Sequence, residues 1–526
     1  METRRYPVDT QTFSTIREGN YVYVDKTDLI YKMTNEYRYV FLSRPRRFGK
    51  SLLCSTLDEY FNGNKDLFKG LKIDSLEKEW TKYPVINLSF ASAKDVSEES
   101  INEIIDAMLR SVEKQFEVER QGNDCGVRFK NLIINIFKKT GQRLVVIIDE
   151  YDAAMLDTIN NDELQERIRA IQNKFFSPLK DLGKYIRFVF ITGITKFAQM
   201  SIFSTLNNLK DISLLPDFQT ICGISNEELL SQLNQGIQDF ADYNGYTVDD
   251  TIRYFKAKYD GYHFSPKMLD VYNPYSVINA LQDKQLNDFW FNSGTPSALL
   301  KLISKFDIKM EDYDGVECDS SRFNKPVEKV NDLVPFLFQS GYLTIKDYKS
   351  FTDEDNVFQT FTLGYPNGEV RMAFANSLYT EYYKATENIA LRNAFIDFKI
   401  HDDLDAFIEH LKVFFDDFPF SLNNQKENER HYHSILYTVL TSFGAKITAN
   451  RETALGKADL VLNMPKTIYV IELKYDQSLE SAKNQIRNRR YAKAYLDSGK
   501  RIVKLAIKFS SKDRNIESYE AVEERV

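Results

Sequence analysis

The sequence is poor in cysteine and has no long apolar run. Its 526 residues include only four cysteines, Cys54, Cys125, Cys222 and Cys318, which lie far apart in the chain. This spacing excludes a zinc-type cysteine pair and a disulfide framework, and it suits a reducing cytoplasm. No stretch reaches the ~18–20 apolar residues of a membrane span, so no membrane partner is expected. The opening METRRYPVDTQTF lacks an apolar signal core, so we expect a cytoplasmic protein.

Basic residues are not in excess either. The formal net charge is −7 at pH 7 and the pI is about 5.6. This balance excludes a histone-like or wholly basic binder, although a local basic groove remains open. The hydrophobic share of 43% and the charged share of 28% indicate a soluble globular protein. At about 100–200 residues per domain, the length predicts about three domains.

Glycine and proline are scattered, so no flexible linker marks a boundary, and boundaries come from changes of pattern. Over residues 1–225, apolar strands such as Leu144–Ile148 alternate with helices, which predicts an α/β domain with a parallel sheet. Residues 226–305 are mainly helical and predict a lid. Residues 306–420 predict an α+β connector. Its helix followed by a hairpin is compatible with a winged-helix-like module, and any other α+β connector explains the pattern equally well. Residues 421–526 follow the order α-β-β-β-α-β.

A phosphate-binding loop is predicted at Ser43–Ser51, SRPRRFGKS, between a strand and a helix. There, backbone N–H groups cradle phosphates, a lysine neutralises their oxygens and a hydroxyl reaches Mg²⁺. Arg44 replaces the first glycine of the usual pattern, and Arg44, Arg46 and Arg47 add positive charge. A basic loop that caps a helix by chance is the alternative. The expected nucleotide contacts are Arg47, Phe48, Gly49, Lys50, Ser51 and Leu52, with Ser51 as a Mg²⁺ ligand.

An acidic strand end supports the nucleotide prediction. The strand LVVIIDE ends in Asp149, expected to hold Mg²⁺ directly or through water, and in Glu150, expected to polarise the attacking water. Thr192, in ITGITKF, is a candidate sensor of the γ-phosphate, and an ordinary polar strand end explains it equally well. Together, the loop and the acidic strand predict binding and hydrolysis of ATP with Mg²⁺.

A second cluster of chemically active residues lies near the C-terminus. Asp459 precedes the strand IYVIELK, on which Glu472 and Lys474 share one face. Two acids and a lysine on adjacent strands fit metal-assisted phosphodiester hydrolysis: Asp459 and Glu472 bind one or two Mg²⁺, or Mn²⁺, and Lys474 orients water or stabilises charge. A half-exposed strand with alternating charge would look the same. Further candidates are Glu429, Glu452 and Gln485.

The segment around this cluster is locally basic. From Lys474 to Arg514 there are 12 Lys and Arg against 4 Asp and Glu, which suits a nucleic-acid backbone, with DNA as the expected partner. A solvated helix face would give the same count. The pair His431 and His433 has no further His or Cys nearby, so we expect packing at a helix start rather than metal ligation. Trp290 is expected in the core.

Taken together, these segments resemble the bacterial AAA-ATPase-like proteins that carry a C-terminal PD-(D/E)xK nuclease domain. The resemblance covers nearly the whole chain, and the family shows the same unusual loop with arginine at the position of Arg44. The matching motifs are YVDKTDLIY, LSRPRRFGKSLL, VVIIDEYD, FVFITGITKFAQMSIFSTLNNLKDIS, YDGYHF, YNPYSV, FQSGYLTIK, YPNGEVR, ELKYD and QIRNRRYA.

The resemblance implies a P-loop NTPase fold and a restriction-endonuclease-like αβββαβ domain. It implies that Gly49, Lys50 and Ser51 bind phosphates and Mg²⁺, and that Asp149 and Glu150 form the acidic strand end. It also implies that Asp459, Glu472 and Lys474 form the nuclease core, with Gln485 associated.

Three functions are compatible with this pattern. The first is an ATPase whose nucleotide state gates a nuclease. The second is a nucleotide-dependent switch or scaffold with an inert nuclease fold, and the third is an ATPase with a nucleic-acid-binding module that does not cleave. The complete set of Asp459, Glu472 and Lys474 favours the first, because an inert descendant would be free to lose one of them. A homo-oligomer is compatible with the sequence, although no residue marks an interface.

Overall fold

The computed structural model describes residues 4–524, apart from 92–95, 197–207, 293–296, 304, 307, 328–330, 387, 420–427, 454–455, 489–494 and 496–497. The chain forms two compact units. Unit 1 comprises Met1–Lys301 with Gly315–Glu369, and unit 2 comprises Leu302–Asp314 with Val370–Val526. The four-part division made from the sequence stays a prediction. Within the described ranges, every helix is too short or too polar to cross a bilayer.

Unit 1 is built on a five-stranded parallel sheet, as the alternation of strands and helices predicts. Its order is β2-β3-β4-β1-β5, so β4 separates the strand before the phosphate loop from the acidic strand. Parallel pairing brings the carboxyl ends of β1, β3 and β4 to one edge of the sheet. The strands are β1 (Tyr39–Ser43), β2 (Val85–Ser89), β3 (Leu144–Asp149), β4 (Ile186–Gly193) and β5 (Lys210–Asp211).

Helices cover this sheet. For that reason a strand such as β3 is buried at every position and is apolar up to its last residue, Asp149. The helices start at sequence-encoded caps: the Ser97 side chain accepts from the backbone of Ser100, and Asp124 accepts from Gly126 and Val127. They are α1 (Phe13–Glu18), α2 (Thr27–Glu36), α3 (Lys50–Phe61), α4 (Lys72–Leu76), α5 (Glu98–Gln115), α6 (Cys125–Thr140), α7 (Ala153–Asp157) and α8 (Asp162–Phe176).

A helical region follows the sheet and has its own core, which includes Phe240, Phe255, Tyr259 and Leu281. It holds a two-stranded ladder of β6 (Ile224–Ser225) and β7 (Val271–Tyr272). Its helices are α9 (Asn226–Gln232), α10 (Asn234–Asn244), α11 (Val248–Tyr259), α12 (Pro274–Asp283), α13 (Phe289–Asn292) and α14 (Ser297–Ile303).

The predicted hairpin is present in the last part of unit 1. A three-stranded antiparallel sheet has the order β8-β10-β9, and the hairpin joins β9 to β10. The elements are β8 (Val316–Cys318), α15 (Ser320–Phe323), α16 (Val334–Ser340), β9 (Thr344–Thr352) and β10 (Val357–Gly364).

Unit 2 contains a mixed sheet of order β11-β12-β13-β14-β15, in which β13 and β14 are parallel and the other pairs antiparallel. The predicted order α-β-β-β-α-β is confirmed, and a further strand, β15, follows it. The elements are a 3₁₀ turn (Met310–Tyr313), α17 (Gly368–Ser377), a π-helical turn (Leu378–Tyr382), α18 (Ile389–His401), α19 (Leu404–Asp416), α20 (Glu429–Ser442), β11 (Ile447–Thr453), β12 (Gly456–Asn463), β13 (Thr467–Tyr475), α21 (Leu479–Asn488), β14 (Arg501–Ser510) and β15 (Asn515–Glu523).

Candidate functional sites

The loop between β1 and α3 has the backbone of an anion cradle. Gly49 is the N-cap of α3 and has φ of +87°, which favours glycine, and Arg47 has φ of +67°. Such left-handed residues turn successive N–H groups towards one side, and the first N–H groups of a helix have no partner within it. Ser51 lies half-buried in the first turn of α3. The geometry fits the predicted binding of phosphate groups.

The Lys50 side chain is buried under the loop. Its ammonium donates to the carbonyl oxygens of Arg44 at 3.0 Å and Pro45 at 2.9 Å. Burial lowers the pKa of Lys50, and the carboxylates of Asp149 and Asp152 oppose that shift. The lysine is therefore already held between the loop and the acidic end of β3, which is where a phosphate-binding lysine has to lie.

Arg44 does not contribute charge to the cradle, in contrast to the prediction. Its guanidinium is fully buried, donates to the carbonyl oxygens of Ser43, Ser213 and Phe218, and lies 4.2 Å from the ring centre of Phe264. Burial lowers its pKa to about 10. An arginine can fill this position because its donors match several carbonyl groups at once. Arg44 therefore stiffens the base of the loop.

Arg46 and Arg47, by contrast, are exposed, so both remain able to meet a charged ligand. The Arg47 guanidinium lies 4.7 Å from the ring centre of Tyr275 on α12. The backbone carbonyl of Arg46 accepts from the indole of Trp290 at 3.3 Å. Trp290 itself is buried, as expected for a core residue.

An apolar cavity of about 110 Å³ lies beside Gly49. The Phe48 side chain, which lines it, is buried against Tyr262 and Phe264, so Phe48 offers a ligand its backbone. Leu52 projects from α3 into the same wall. The lining of the cavity is mostly apolar, as in many small-molecule sites. Its remaining lining residues include Val22, Val24, Leu53, Cys222, Ile224 and Ile278.

The two predicted acids lie next to each other at the end of β3. Asp149 is buried, and its Oδ1 accepts from the backbone N–H of Glu150 at 2.9 Å. Glu150 is exposed on one side and has φ of +52°, a conformation that costs energy in a non-glycine residue and is common at functional sites. Desolvation and then the charge of Asp149 raise the pKa of Glu150, as suits a residue that acts on a proton.

Asp152 is a member of this site that the sequence reasoning missed, although it stands in VVIIDEYD. It is buried and accepts from the backbone N–H of Ile194 at 3.0 Å and from the backbone and hydroxyl of Thr195, both at 2.6 Å. Burial raises its pKa. Asp152 thereby ties the end of β3 to the end of β4.

Thr192 lies on β4 directly opposite Leu42 of β1, and its hydroxyl donates to the Leu42 carbonyl at 2.7 Å. This contact favours the ordinary strand-end alternative over a γ-phosphate sensor. Lys196, which follows, is buried and paired with Asp211. Burial lowers the pKa of Lys196 despite that partner.

The buried carboxyl group of Glu369 supports the phosphate loop indirectly, through Trp290. Glu369 accepts from the backbone N–H of Trp290 at 2.6 Å and from the hydroxyl of Ser276 at 2.8 Å. Burial raises its pKa from 4.5 to about 7. Trp290 in turn donates to the loop carbonyl of Arg46, so Glu369 helps to position the phosphate loop.

We expect Glu369 to make stability pH-dependent. Between pH 4.5 and about 7 the folded chain keeps this proton and the unfolded chain releases it. The free energy of unfolding therefore falls as pH rises through that window, by about 3 kcal/mol. Glu369→Gln should remove this loss, so its melting temperature at pH 8 exceeds that of the wild type. The exposed Glu227→Gln should follow the wild type, and an identical pH profile for Glu369→Gln would contradict the prediction.

In unit 2, the predicted acid and lysine share one face of β13. Glu472 is fully buried, and Lys474 is 5% exposed. The Lys474 ammonium lies 3.4 Å from Glu472 Oε1 and 3.2 Å from Glu429 Oε1, and it donates to the Leu473 carbonyl at 2.9 Å. Burial alone would lower the pKa of Lys474, but the carboxylates outweigh it and raise the pKa.

Asp459 joins this group from β12, the antiparallel neighbour of β13. Its Oδ2 accepts from the backbone N–H of Leu473 at 2.8 Å. Glu429, the first residue of α20, supplies the further carboxylate that the sequence suggested, and its place at a helix N-terminus favours a negative charge. The structure therefore brings Asp459, Glu472, Lys474 and Glu429 together.

A cavity of about 600 Å³ opens beside Glu429 and Asp459 of this group. Its lining residues are Glu311, Asp312, Asn428, Glu429, Arg430, His433 and Asp459. Among the described residues, no three His, Cys, Asp or Glu side chains converge closely enough to hold a metal ion. Mg²⁺ is commonly bound by only one or two carboxylates, with water and substrate phosphate completing its shell. Asp459 and Glu472 fit that smaller requirement.

His433 lies at this site, although the sequence predicts for it only a packing role at the start of a helix. It is buried, as expected for packing, but it also lines the cavity, one helical turn after Glu429. Its Nε2 lies 2.9 Å from the Asp459 carbonyl, and its Nδ1 lies 3.2 Å from Glu311. Burial would lower the pKa of His433, but Glu311 outweighs it and raises the pKa. In the sequence, the only signal for this position of His433 was its spacing of one helical turn from Glu429, which places both residues on one face of the helix.

The remaining predictions for this domain concern the region after β13. Gln485 lies on α21, but its side chain is outside the described residues, as are those of Glu452 and of several basic residues near Gln485. Part of the positive charge of the basic segment from Lys474 to Arg514 is neutralised by carboxylates of unit 2. Lys474, Arg501, Lys504 and Lys508 each pair with a carboxylate.

Two family models and one relative match the chain. Residues 7–203 match a family described as predicted AAA-ATPase. Residues 427–519 match the PD-(D/E)XK nuclease superfamily. The chain is also similar to an "Uncharacterized protein in vnfD 5'region" of Azotobacter chroococcum mcd 1, with 29% identity over 529 residues and coverage of 98% of each chain. The first match spans β1 to β4 and the phosphate loop of unit 1, and the second spans the carboxylate and lysine group of unit 2.

Proposed function

Because the chain carries a predicted AAA-ATPase domain and a PD-(D/E)XK nuclease superfamily domain, we propose that it is an ATPase coupled to a nuclease. The nucleotide state controls metal-dependent cleavage of nucleic acid, and DNA is the expected substrate. The observation that carries this proposal is the buried Lys474, whose ammonium contacts Glu472 and Glu429 beside Asp459. Burying charges is costly, so such a group is a candidate for catalysis.

At the first site, the backbone of Gly49 to Leu52 and the Lys50 ammonium bind the ATP phosphates. Arg47 adds charge from the exposed side of the loop, and the base enters the apolar cavity. Ser51 and Asp149 would hold a Mg²⁺ ion, and the bound ion would supply positive charge to the phosphates.

Glu150 orients and polarises the water that attacks the γ-phosphate. Its raised pKa and its strained backbone support this role. Asp152 acts indirectly, since it fixes the adjacent ends of β3 and β4 through Thr195. Thr192 supports β1 through Leu42 and stays a lesser candidate for contact with phosphate.

At the second site, Asp459 and Glu472 would hold Mg²⁺ or Mn²⁺, and the bound ion would supply an activated water and positive charge for the phosphate. Lys474 orients the water and adds positive charge. Glu429 fixes the Lys474 ammonium from the helix side. Gln485 of α21 stays a candidate for this site from the sequence alone. The phosphodiester enters through the cavity of about 600 Å³.

A nucleotide-dependent switch that binds nucleic acid or a protein without cleaving is the second candidate. It is favoured by the finding that, across the described part of the chain, no three His, Cys, Asp or Glu side chains converge to hold a metal. In this alternative the carboxylate and lysine group is a structural remnant, and the two sites communicate only through binding.

One experiment separates these functions. A labelled plasmid and a labelled single strand are incubated with the full-length protein and Mg²⁺ or Mn²⁺, with ATP, with a non-hydrolysable ATP analogue, or without nucleotide. Lys50→Ala, which removes the phosphate-binding ammonium, serves as the nucleotide-site variant. We expect cleavage by the wild type that requires nucleotide and is lost in Lys50→Ala. ATP turnover without cleavage of either substrate would overturn the nuclease and favour the switch.

A further inference from the structure

A short segment leaves unit 1 and takes part in the nuclease site of unit 2. Residues Leu302–Asp314 belong to unit 2 by their contacts, whereas the chain on either side, Lys301 and Gly315, belongs to unit 1. The segment ends in the 3₁₀ turn Met310–Tyr313, in which Met310 and Glu311 are buried. The two buried residues of this turn therefore anchor the segment in unit 2.

The turn brings the buried carboxylate of Glu311 to the second site. Glu311 has a side chain only 1% exposed, and its Oε1 lies 3.2 Å from His433 Nδ1 and accepts from the Ser434 hydroxyl. His433 Nε2 lies 2.9 Å from the backbone carbonyl of Asp459. A carboxylate and a carbonyl only accept hydrogen bonds, so both ring nitrogens donate. Glu311 therefore orients His433, and His433 fixes the backbone of Asp459.

Asp459 is thus held at two points. His433 fixes its carbonyl, and the backbone N–H of Leu473 fixes its carboxylate at 2.8 Å. A small shift of Glu311 changes the first of these contacts and so moves a metal-binding carboxylate. Outer partners of this kind typically matter 10–100-fold for metal affinity or activity.

The burial of Glu311 is not explained by stability alone. Its Oε2 is buried and has no hydrogen-bond partner among the described residues. A buried carboxylate oxygen without a partner is unfavourable, and such groups in native structures call for a functional reason. The place of Glu311 in the cavity wall supplies one.

We propose that Glu311 is a positioning residue of the nuclease site and that the segment Leu302–Asp314 transmits the nucleotide state of unit 1 to Asp459. This inference rests on the proposed function. The route follows the chain itself: both ends of the segment continue into unit 1, through α14 before it and β8 after it. A change in unit 1 that pulls on either end acts on Glu311, then on His433, then on Asp459.

The test compares Glu311→Gln with Asp314→Asn in the full-length protein. Both replace a carboxylate by an amide on the same segment, but Asp314 pairs with Arg371 and does not line the cavity. The measurements are cleavage of labelled plasmid with and without ATP, the Mg²⁺ concentration for half-maximal cleavage, and ATP hydrolysis. We expect Glu311→Gln to cleave about 10–100-fold more slowly and to need more Mg²⁺, with ATP hydrolysis unchanged. In Glu311→Gln, the ratio of the cleavage rate with ATP to the rate without ATP should fall towards one. Asp314→Asn should match the wild type in all these measurements.

Several results would overturn the proposal. Cleavage by Glu311→Gln at the wild-type rate would overturn it. Slower cleavage with an unchanged Mg²⁺ concentration for half-maximal cleavage and unchanged stimulation by ATP would overturn it as well. If Glu311→Gln fails to fold, Ser434→Ala is the deciding variant, because it removes one hydrogen-bond donor to the Glu311 carboxylate. We expect Ser434→Ala to cleave several-fold more slowly with normal ATP hydrolysis. Cleavage by Ser434→Ala at the wild-type rate would overturn the proposal. No cleavage by the wild type would instead be a failure of the proposed function.

Discussion

A Glu150→Gln protein should bind ATP as the wild type does and hydrolyse it about 10²–10⁴-fold more slowly, the usual range for loss of a general base. The substitution keeps size and hydrogen bonding but removes the group that draws the proton from water. Binding should survive because the phosphate contacts come from the loop around Lys50, not from Glu150. Calorimetric titration with ATP and a phosphate-release assay measure the two properties separately.

The matched control is Glu163→Gln on α8, because the Glu163 side chain is 78% exposed and pairs with Arg167 on the same helix. It should hydrolyse ATP at the wild-type rate. Loss of binding together with hydrolysis in Glu150→Gln would assign Glu150 a structural role at the end of β3. Hydrolysis within about threefold of the wild type would remove it from the mechanism, since a general base is worth far more than that.

The same variant distinguishes two ways in which ATP can control cleavage. Glu150→Gln should remain bound to ATP because it cannot turn the nucleotide over. If ATP binding opens the nuclease, this protein cleaves as fast as the wild type or faster. If turnover drives cleavage, it cleaves as slowly as the protein without nucleotide.

Apolar runs predicted the sheet strands well because a parallel strand covered on both faces has apolar residues at every position. LVVII became β3, and IRFVFIT became most of β4. The strand β15, NIESYEAVE, was missed because it lies at a sheet edge and is largely exposed, so its residues are mostly polar. Edge strands of this composition lack the pattern that identifies buried ones.

The limits of prediction at the sites have a different origin. Arg44 was placed at the phosphates because its charge suited them, but its partners are carbonyls at Ser213 and Phe218, far away in sequence. The pairing of Glu311 with His433 likewise joins residues that only the fold brings together. Motif spacing could single out Lys50, Asp149 and Glu472 as candidates, since each lies within a continuous strand or loop pattern. Side chains that support such residues leave no local pattern.

A Lys474→Met protein should lose cleavage by a factor of at least about 10²–10³, the usual cost of removing one donor aimed at developing charge. Methionine keeps most of the length of lysine and removes the ammonium that contacts Glu429 and Glu472. ATP hydrolysis should be unchanged because the nucleotide residues lie in unit 1. Plasmid cleavage and phosphate release on one preparation measure both activities.

The control is Lys508→Met, because Lys508 lies in register with Lys474 on the neighbouring strand and pairs with Glu517 instead. It should cleave at a rate near that of the wild type. Cleavage by Lys474→Met at the wild-type rate would show that Lys474 has only a structural role. Equal losses in the two variants would point to damage to the sheet and not to chemistry.

Lys474→Met also leaves the buried carboxylate of Glu472 without its cation, and breaking a buried ion pair costs about 3–5 kcal/mol. The melting temperature should therefore fall, and a loss of cleavage could reflect unfolding. The double variant Lys474→Met/Glu472→Gln separates the two causes, since it removes both charges and replaces the pair by neutral groups. It should regain most of the melting temperature and remain unable to cleave. Recovery of cleavage together with stability would mean that the pair holds the fold and takes no part in hydrolysis.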